Sequence, residues 1–591
     1  MKKILRYLLI ICVIAAVGCD DYLEKEPYNI LTSETVWENE TLVEGVLANL
    51  YDRMPTSDFD QRMMQATDQA MWSAGGDGEN RRNSIPTDWF DYYDYKYIWH
   101  INQFIGKASD SNLDNKEQFI AEGRFIRAFV YFELVKRMGG VPLLTKTYEY
   151  EGPEKIEELQ IARSAEAEVY DFIYSELSEI SSKLPVEKNP DRATKWAALA
   201  LQARAMIYAG SLAKYNNQMG MPVTLEGGVV GIAAGKAEGY YEKALAAAKQ
   251  IITEGGFSLE SNYHSVFDKK NKTEMIYASD FKSPLKTHKF TYENSTPSAR
   301  EDNQEGSRIT PFLEMVECYE YLDGSDGVLV AENEDGTPVY YNQPEDIFAN
   351  KDNRLAHTIL YSNQVYRNSK VSLQLGQLVY NAETDSYDEL IGDQGEVDAE
   401  GRLITGWDGP STNLEYVSNS GFYMKKFVSS KPGAGQRSIG SENWWPIFRY
   451  ADILLIASEA AMELDKPEAL GYINQVRERA GFGANSLDEV TLEDIIHERK
   501  IEFAFEGHRY YDLIRWRKAE DVMNGENEFH ALYGYLVVHP GSDNDGKYIY
   551  KKVPAPRLFG SSKKFDWHNY YSKMPQGALD KNPKLIKNPG H

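Results

Sequence analysis

The sequence predicts a mainly α-helical fold of four antiparallel helix pairs of tetratricopeptide type, with long irregular loops and a few short β-hairpins. Three observations lead there. Apolar residues recur at spacings of three and four over long runs, as in helices with one buried stripe. These runs stop at Gly or at Pro. Between them lie stretches rich in Gly, Asp, Asn, Ser and Tyr.

Lys116–Met138 sets Phe119, Phe125, Phe129 and Phe132 with Ile126 and Leu134 on one face, and Gly139-Gly140 ends it with Pro142 beyond. Ser164–Lys183 packs back through Val169, Ile173, Leu177 and Ile180. Ala-rich Arg192–Tyr208 followed by Ala237–Thr253 makes a second pair, whose small residues let two helices approach closely. Phe448–Glu463 with Pro467–Ala480 is the third, and Leu492–Glu506 with His508–Lys518 the fourth. Such a series reads as a helical-repeat scaffold. Thr56–Thr87, Phe281–Ser307 and Asp323–Gly440 are too long for idle connections, so the recognition surface is expected there. Tyr366–Tyr380 and Tyr548–Val553 read as short hairpins.

Charge and cysteines narrow the function. With 64 Lys+Arg against 90 Asp+Glu the net charge is −26, which argues against nucleic acid, since phosphate binding needs clustered cations. The same charge weakly disfavours polyuronates, with Arg81-Arg82 as a local exception. Lys2, Lys3 and Arg6 precede an apolar run from Tyr7 to Val17, the form of an export signal over residues 1–18. Cys19, directly after Ala16-Val17-Gly18, is then expected to be the lipid-modified first residue of a bacterial lipoprotein; the alternative is a secreted protein with a fortuitous cysteine. Cys12 lies in the signal, so only Cys318 remains in the folded part, too few for an internal disulfide or a thiolate zinc cluster.

Catalytic motifs fail on inspection. His497-Glu498 begins a helical zinc signature, but Ile501 stands where the second histidine belongs. Gly541–Tyr548 ends Gly-Lys-Tyr, without the Ser or Thr that a phosphate loop needs, and reads as a turn. Gly409-Pro410-Ser411-Thr412-Asn413 lacks the closing glycine of a nucleophile elbow. Asp323–Gly327 and Asp543–Gly546 offer oxygens to calcium without the full ligand spacing, so no cofactor is expected and calcium is the one candidate.

Aromatic residues carry the binding signal. Asp88–His100 contains Trp89, Phe90, Tyr92, Tyr93, Tyr95, Tyr97 and Trp99, more rings than one helical stripe can hide. Exposed rings suit the apolar faces of sugars, with neighbouring Asn, Asp and Arg bonding the hydroxyls. A thick aromatic core between helices is the alternative for any single ring. Trp72 is the better single candidate, in a glycine-rich loop with Asp77, Asn80 and Arg81 beside it.

Several segments together resemble the SusD/RagB family of surface glycan-binding lipoproteins. They are CDDYLEKEP after the signal, Ala121–Leu144, Arg192–Gly210, Lys351–Leu360, Phe448–Ala460, Ile473–Gly481, His497–Trp516 and Asn582–His591, in that order and nearly end to end. The resemblance implies a SusD-like fold with an N-terminal region over 19–225 and a C-terminal SusD/RagB region over 226–591. It implies a non-enzymatic role: capturing oligosaccharide or polysaccharide at the outer membrane surface and delivering it to a SusC-like TonB-dependent transporter. Glycan-binding residues in such proteins sit in variable loops, which makes Trp72, Asn80, Arg81, Trp89, Tyr92 and Tyr292 the candidates here. A protein-binding scaffold, a transporter lid for a non-glycan nutrient such as peptides, and an enzyme are the competing readings.

Glu506–Trp516, EGHRYYDLIRW, is dense in charge and aromatics. It reads as structure: Gly507 divides two helices, Arg509 and Arg515 each lie three residues from Asp512, and Tyr510, Leu513 and Ile514 face the packing side. A His508–Asp512 dyad is the functional alternative.

Overall fold

A computed structural model describes residues 33–74, 85, 90–302, 305–410, 415–524, 529–556 and 563–591. The expected signal over 1–18, Cys19, Asn80, Arg81, Arg82 and Trp89 lie outside the described residues.

The principal helices are α1 (Glu40–Asp52), α2 (Tyr95–Asp110), α3 (Lys116–Met138), α4 (Glu166–Ile180), α5 (Lys195–Tyr215) and α6 (Ala237–Glu254), then α7 (Tyr450–Glu463), α8 (Ala469–Ala480), α9 (Leu492–Glu502) and α10 (His508–Arg515). Polar caps start several of them: the side chains of Asn39, Asp94, Thr194 and Thr491 accept from the exposed N–H groups of α1, α2, α5 and α9. The expected pairs α3/α4, α5/α6, α7/α8 and α9/α10 are all present as packed neighbours, and the array continues because α2 packs on α3, α4 on α5 and α6 on α7. α5 is buried on every side and stands at the centre. A side chain at its Gly210 would meet the Tyr241 ring of α6 at 2.8 Å, so the close approach of this pair requires glycine there.

The longer strands are β1 (Ala70–Trp72), β2 (Met275–Ser279), β3 (Ile309–Pro311), β4 (Gln374–Asn381), β5 (Ser386–Leu390), β6 (Trp445–Arg449), β7 (His530–Val538) and β8 (Tyr548–Pro554). β1 pairs with β3 and β6 with β2, both antiparallel. The remaining four form one sheet in the order β8-β7-β4-β5, in which β7 runs parallel to β4. Short hairpins are present as expected, at Val365–Lys370, β4/β5 and β7/β8, but the union of the last two into a four-stranded sheet departs from the sequence reading. One hydrophobic core runs from Val43 to Leu585, across residue 225, and a smaller one with Leu375, Tyr533 and Val537 lies on this sheet.

The last helix pair is bound by buried ions. Arg449 of β6 reaches Glu274 at 2.8 Å, Glu502 at 2.5 Å and Glu506 at 2.8 Å. Arg354 reaches Asp352 at 2.7 Å, Glu498 at 2.5 Å and Glu502 at 2.8 Å. Glu498 is therefore committed to this lattice. Asp512 pairs with Arg515 at 2.9 Å as the spacing implied, and with Arg499 at 2.9 Å. Arg509 departs from the expectation: it turns to Asp68 at 2.8 Å, a partner far away in sequence. His508 bonds Arg499 at 3.3 Å and stacks on Phe503, while Arg499 and Arg515 hold the Asp512 carboxylate, so ion pairs stand where the alternative reading had a dyad. Gly507, with φ of 77°, makes the left-handed turn between α9 and α10.

Burial alone would raise the carboxyls of Asp452, Glu502, Glu506 and Asp512, yet the guanidinium groups around them prevail and hold all four below the ordinary range. Burial pushes His288 down to about 3 and His357 to about 4.

Two measurements follow from this core. Arg449→Ala removes the one cation that Glu274, Glu502 and Glu506 share, and is expected to lower stability by about 3–5 kcal/mol in urea unfolding. In acid, the unfolded chain binds protons on its histidines below their ordinary value of 6.5, whereas folded His288 and His357 stay neutral. Stability is therefore expected to fall as pH drops below 6.5, and further as pH passes down through the ordinary carboxylate range toward the depressed folded values. Urea midpoints between pH 8 and 4 check this; a flat profile contradicts it.

Candidate functional site

Trp72 ends β1, a three-residue strand and not the glycine-rich loop expected. Its register against β3 sets Trp72 opposite Ile309, and the Ser73 N–H donates to the Arg308 carbonyl at 2.8 Å. Ser73 and Thr310 hydroxyls meet at 2.6 Å beneath the pair. The half-buried indole is thus fixed on a hydrogen-bonded base, with the Arg308 guanidinium 5.9 Å from its ring centroid.

Arg308 carries the connection onward. It pairs with Glu293 at 2.9 Å and with Glu305, and Glu305 pairs with Arg437 at 3.4 Å. Arg437 in turn donates to the Tyr292 hydroxyl, at 3.1 Å from Nε, and its backbone N–H donates to Asp302 at 2.6 Å. Trp72, Arg308, Glu305, Arg437 and Tyr292 therefore form one continuous face in which cations and anions alternate. Burial raises the Glu293 carboxyl, with Arg308 and a 2.5 Å bond from Gln61 opposing it.

The two described ends of this face differ. Tyr292 lies on the short helix Phe290–Asn294, held to β3 because the Asn294 side chain accepts from Ile309 N–H at 3.1 Å. Its ring is 3% exposed, so it enters as the anchor of Arg437 and offers no open face. Arg437 is 49% exposed in its side chain and presents free donors to solvent. Tyr92 falls elsewhere, beside Glu133 and Arg137 of α3, with its hydroxyl buried and its pKa raised by that burial. Other rings of the same stretch are packed: Phe90 lies on Tyr510, Tyr97 is fully buried, and Trp99 donates to the Tyr148 carbonyl at 3.2 Å. The thick aromatic core is what most of these rings build.

Arg308, Glu305 and Arg437 escaped the sequence reading. Glu305 and Arg308 stand three apart in a loop, where that spacing carries no helical meaning, and Arg437 meets Tyr292 across 145 residues. Among the described residues no three His, Cys, Asp or Glu side chains converge as metal ligands. In the proposed calcium loops, Asp323 accepts from Ser325 N–H at 3.0 Å and Asp545 from His539 N–H at 2.7 Å. Among the described residues no helix is long and apolar enough to cross a membrane.

Comparison with known proteins places this architecture. The family model described as "SusD family" matches residues 268–591, and one described as "Starch-binding associating with outer membrane" matches residues 21–207. SusD-like protein P2 of Formosa agariphila is 24% identical, with 92% of this chain and 97% of that protein covered. A SusD-like carbohydrate binding protein from Bacteroides fragilis superposes with a TM-score of 0.66 at 21% identity, covering 93% of this chain and 100% of that one. A laminarin binding SusD-like protein superposes with a TM-score of 0.60 at 18% identity, covering 94% and 100%. With its C-terminal half and more matched by the family model, this chain belongs to the SusD family.

Proposed function

We propose that the protein is a non-catalytic glycan-binding lipoprotein of the outer membrane surface. It captures oligosaccharide or polysaccharide and passes it to a SusC-like TonB-dependent transporter, with Cys19 as its lipid anchor. The face running from Trp72 through Arg308 and Glu305 to Arg437 carries this reading. A pyranose ring lays its C–H face against an indole, while paired guanidinium and carboxylate groups bond vicinal hydroxyls with little net charge. Both Glu293 and Glu305 are engaged by Arg308, which favours binding over acid–base chemistry. The laminarin-binding relative and the outer-membrane description of the second family model support the same reading.

Affinity electrophoresis of the full chain in a non-ionic detergent, through gels containing neutral and acidic polysaccharides, tests it. The parent is expected to be retarded by at least one polysaccharide and to release no reducing sugar from it. Trp72→Ala is expected to weaken that retention about tenfold, ~1.4 kcal/mol. Retention unchanged in Trp72→Ala, or sugar release by the parent, contradicts the reading. Glu305→Gln separates binding from folding: its side chain is 30% exposed, so stability should move by less than about 1 kcal/mol. Binding should nonetheless weaken, because Arg308 and Arg437 lose their shared partner.

A further inference from the structure

Trp407 is the one exposed tryptophan among the described residues, at 60%. It lines a cleft of about 530 Å³ between the Val365–Lys370 hairpin, the start of β4 and the β7/β8 ribbon, a volume in the range of small-ligand sites. The cleft shares no residue with the Trp72 face.

The indole is held. A side chain at Gly395 would stand 2.6 Å from its six-membered ring, and Gly395 has a φ of 80°, so one face of the indole lies against bare backbone. The following residue, Asp408, is fully buried. Its carboxylate accepts from Ser298 N–H at 2.9 Å, from the Ser298 hydroxyl at 2.9 Å and from Ser372 N–H at 3.2 Å. On the other side, Gly406 N–H donates to the Gln374 carbonyl at 2.8 Å. An exposed aromatic without a ligand gains nothing by such fixing; a platform for a ring gains preorganisation.

The rest of the lining mixes apolar Val371, Leu403 and Leu536 with side chains able to bond hydroxyls. Asn363, Ser372, Arg402 and Tyr548 converge on the same space. Asp398 accepts from Arg402 Nε at 2.8 Å and offsets its charge, the exposed Lys370 is the other cation of the lining, and the chain as a whole carries −26. That balance suits uncharged ligands and repels polyanions.

We propose that the Trp407 cleft is a second saccharide-binding site, taking a stretch of neutral pyranose chain with one ring stacked on the indole. It goes beyond the capture of glycan at the Trp72 face and stands on its own residues. Asp408 ties the two regions mechanically, since Ser298 belongs to the segment that carries Tyr292 and Glu305.

The test is affinity electrophoresis of the full chain in non-ionic detergent, through gels of laminarin, xyloglucan, galactomannan and polygalacturonate. The parent, Trp407→Ala, Trp407→Phe and Gly395→Ala are compared, with thermal melting of each as the folding control. Trp407→Ala is expected to melt with the parent and to lose about tenfold in retention on at least one neutral polysaccharide. Trp407→Phe should keep most of the retention, and Gly395→Ala should lose it by displacing the indole. Loss of retention in Trp72→Ala with none in Trp407→Ala overturns the second site and leaves the first standing. A parent retarded by no neutral polysaccharide, or a Trp407-dependent retention on polygalacturonate alone, also overturns the proposal.

Discussion

Everything else in this fold leans on the buried lattice of arginines and carboxylates between α9, α10 and their neighbours. Glu502 alone serves Arg354, Arg449 and Arg479, which come from a loop, a strand and another helix. Each ion has been taken out of water at a cost, so the lattice is stable only when complete, and it admits one arrangement of the elements that meet there. Hydrophobic packing holds the helical array together; the ions decide how the loops are seated on it. The density of charge in Glu506–Trp516 is thus a fastening.

That fastening reaches the Trp72 face. Arg509 of α10 and Lys500 of α9 both grip Asp68, two residues before the strand that ends in Trp72. The route from the last helix pair to the half-buried indole is one ion cluster and three residues of strand. Aromatic recognition needs little motion and much positional certainty, and a short strand on a charged anchor supplies it. Arg437 works similarly at the other end of the face, where the buried Tyr292 hydroxyl takes the place of a carboxylate.

What the sequence revealed follows the range of the interactions. The extent of α3 was readable to the residue, because its apolar spacing and its glycine stop are local. α1 and α2 went unread: in α2 the rings that suggest exposure are the ones that anchor it to the core, as Tyr95 and Trp99 do through bonds to the carbonyls of Pro142 and Tyr148. Pairings across long separations left no local trace. Arg509 finds Asp68 across 441 residues, against the nearer Asp512 that helical spacing favoured. Trp72 was legible as an aromatic among polar neighbours, but its strand depends on β3, over two hundred residues on. Trp407 carried no signal, since its exposure arises from the shape of the loop around Gly395.

The parallel contact of β7 with β4 has a temporal meaning. Beyond its hairpin partner β5, β4 cannot find its second neighbour until residues 530–538 have been made, and β8 completes the ribbon only after that. The helices from α2 to α6 need no such wait, because each packs on one close by in the chain. Contact order therefore divides the molecule into an early half built from nearby partners and a late sheet closed across more than a hundred residues. In the interval β4 keeps a bare edge, a surface on which other chains can add. Until the C-terminal strands arrive, that edge stays open to unwanted pairing.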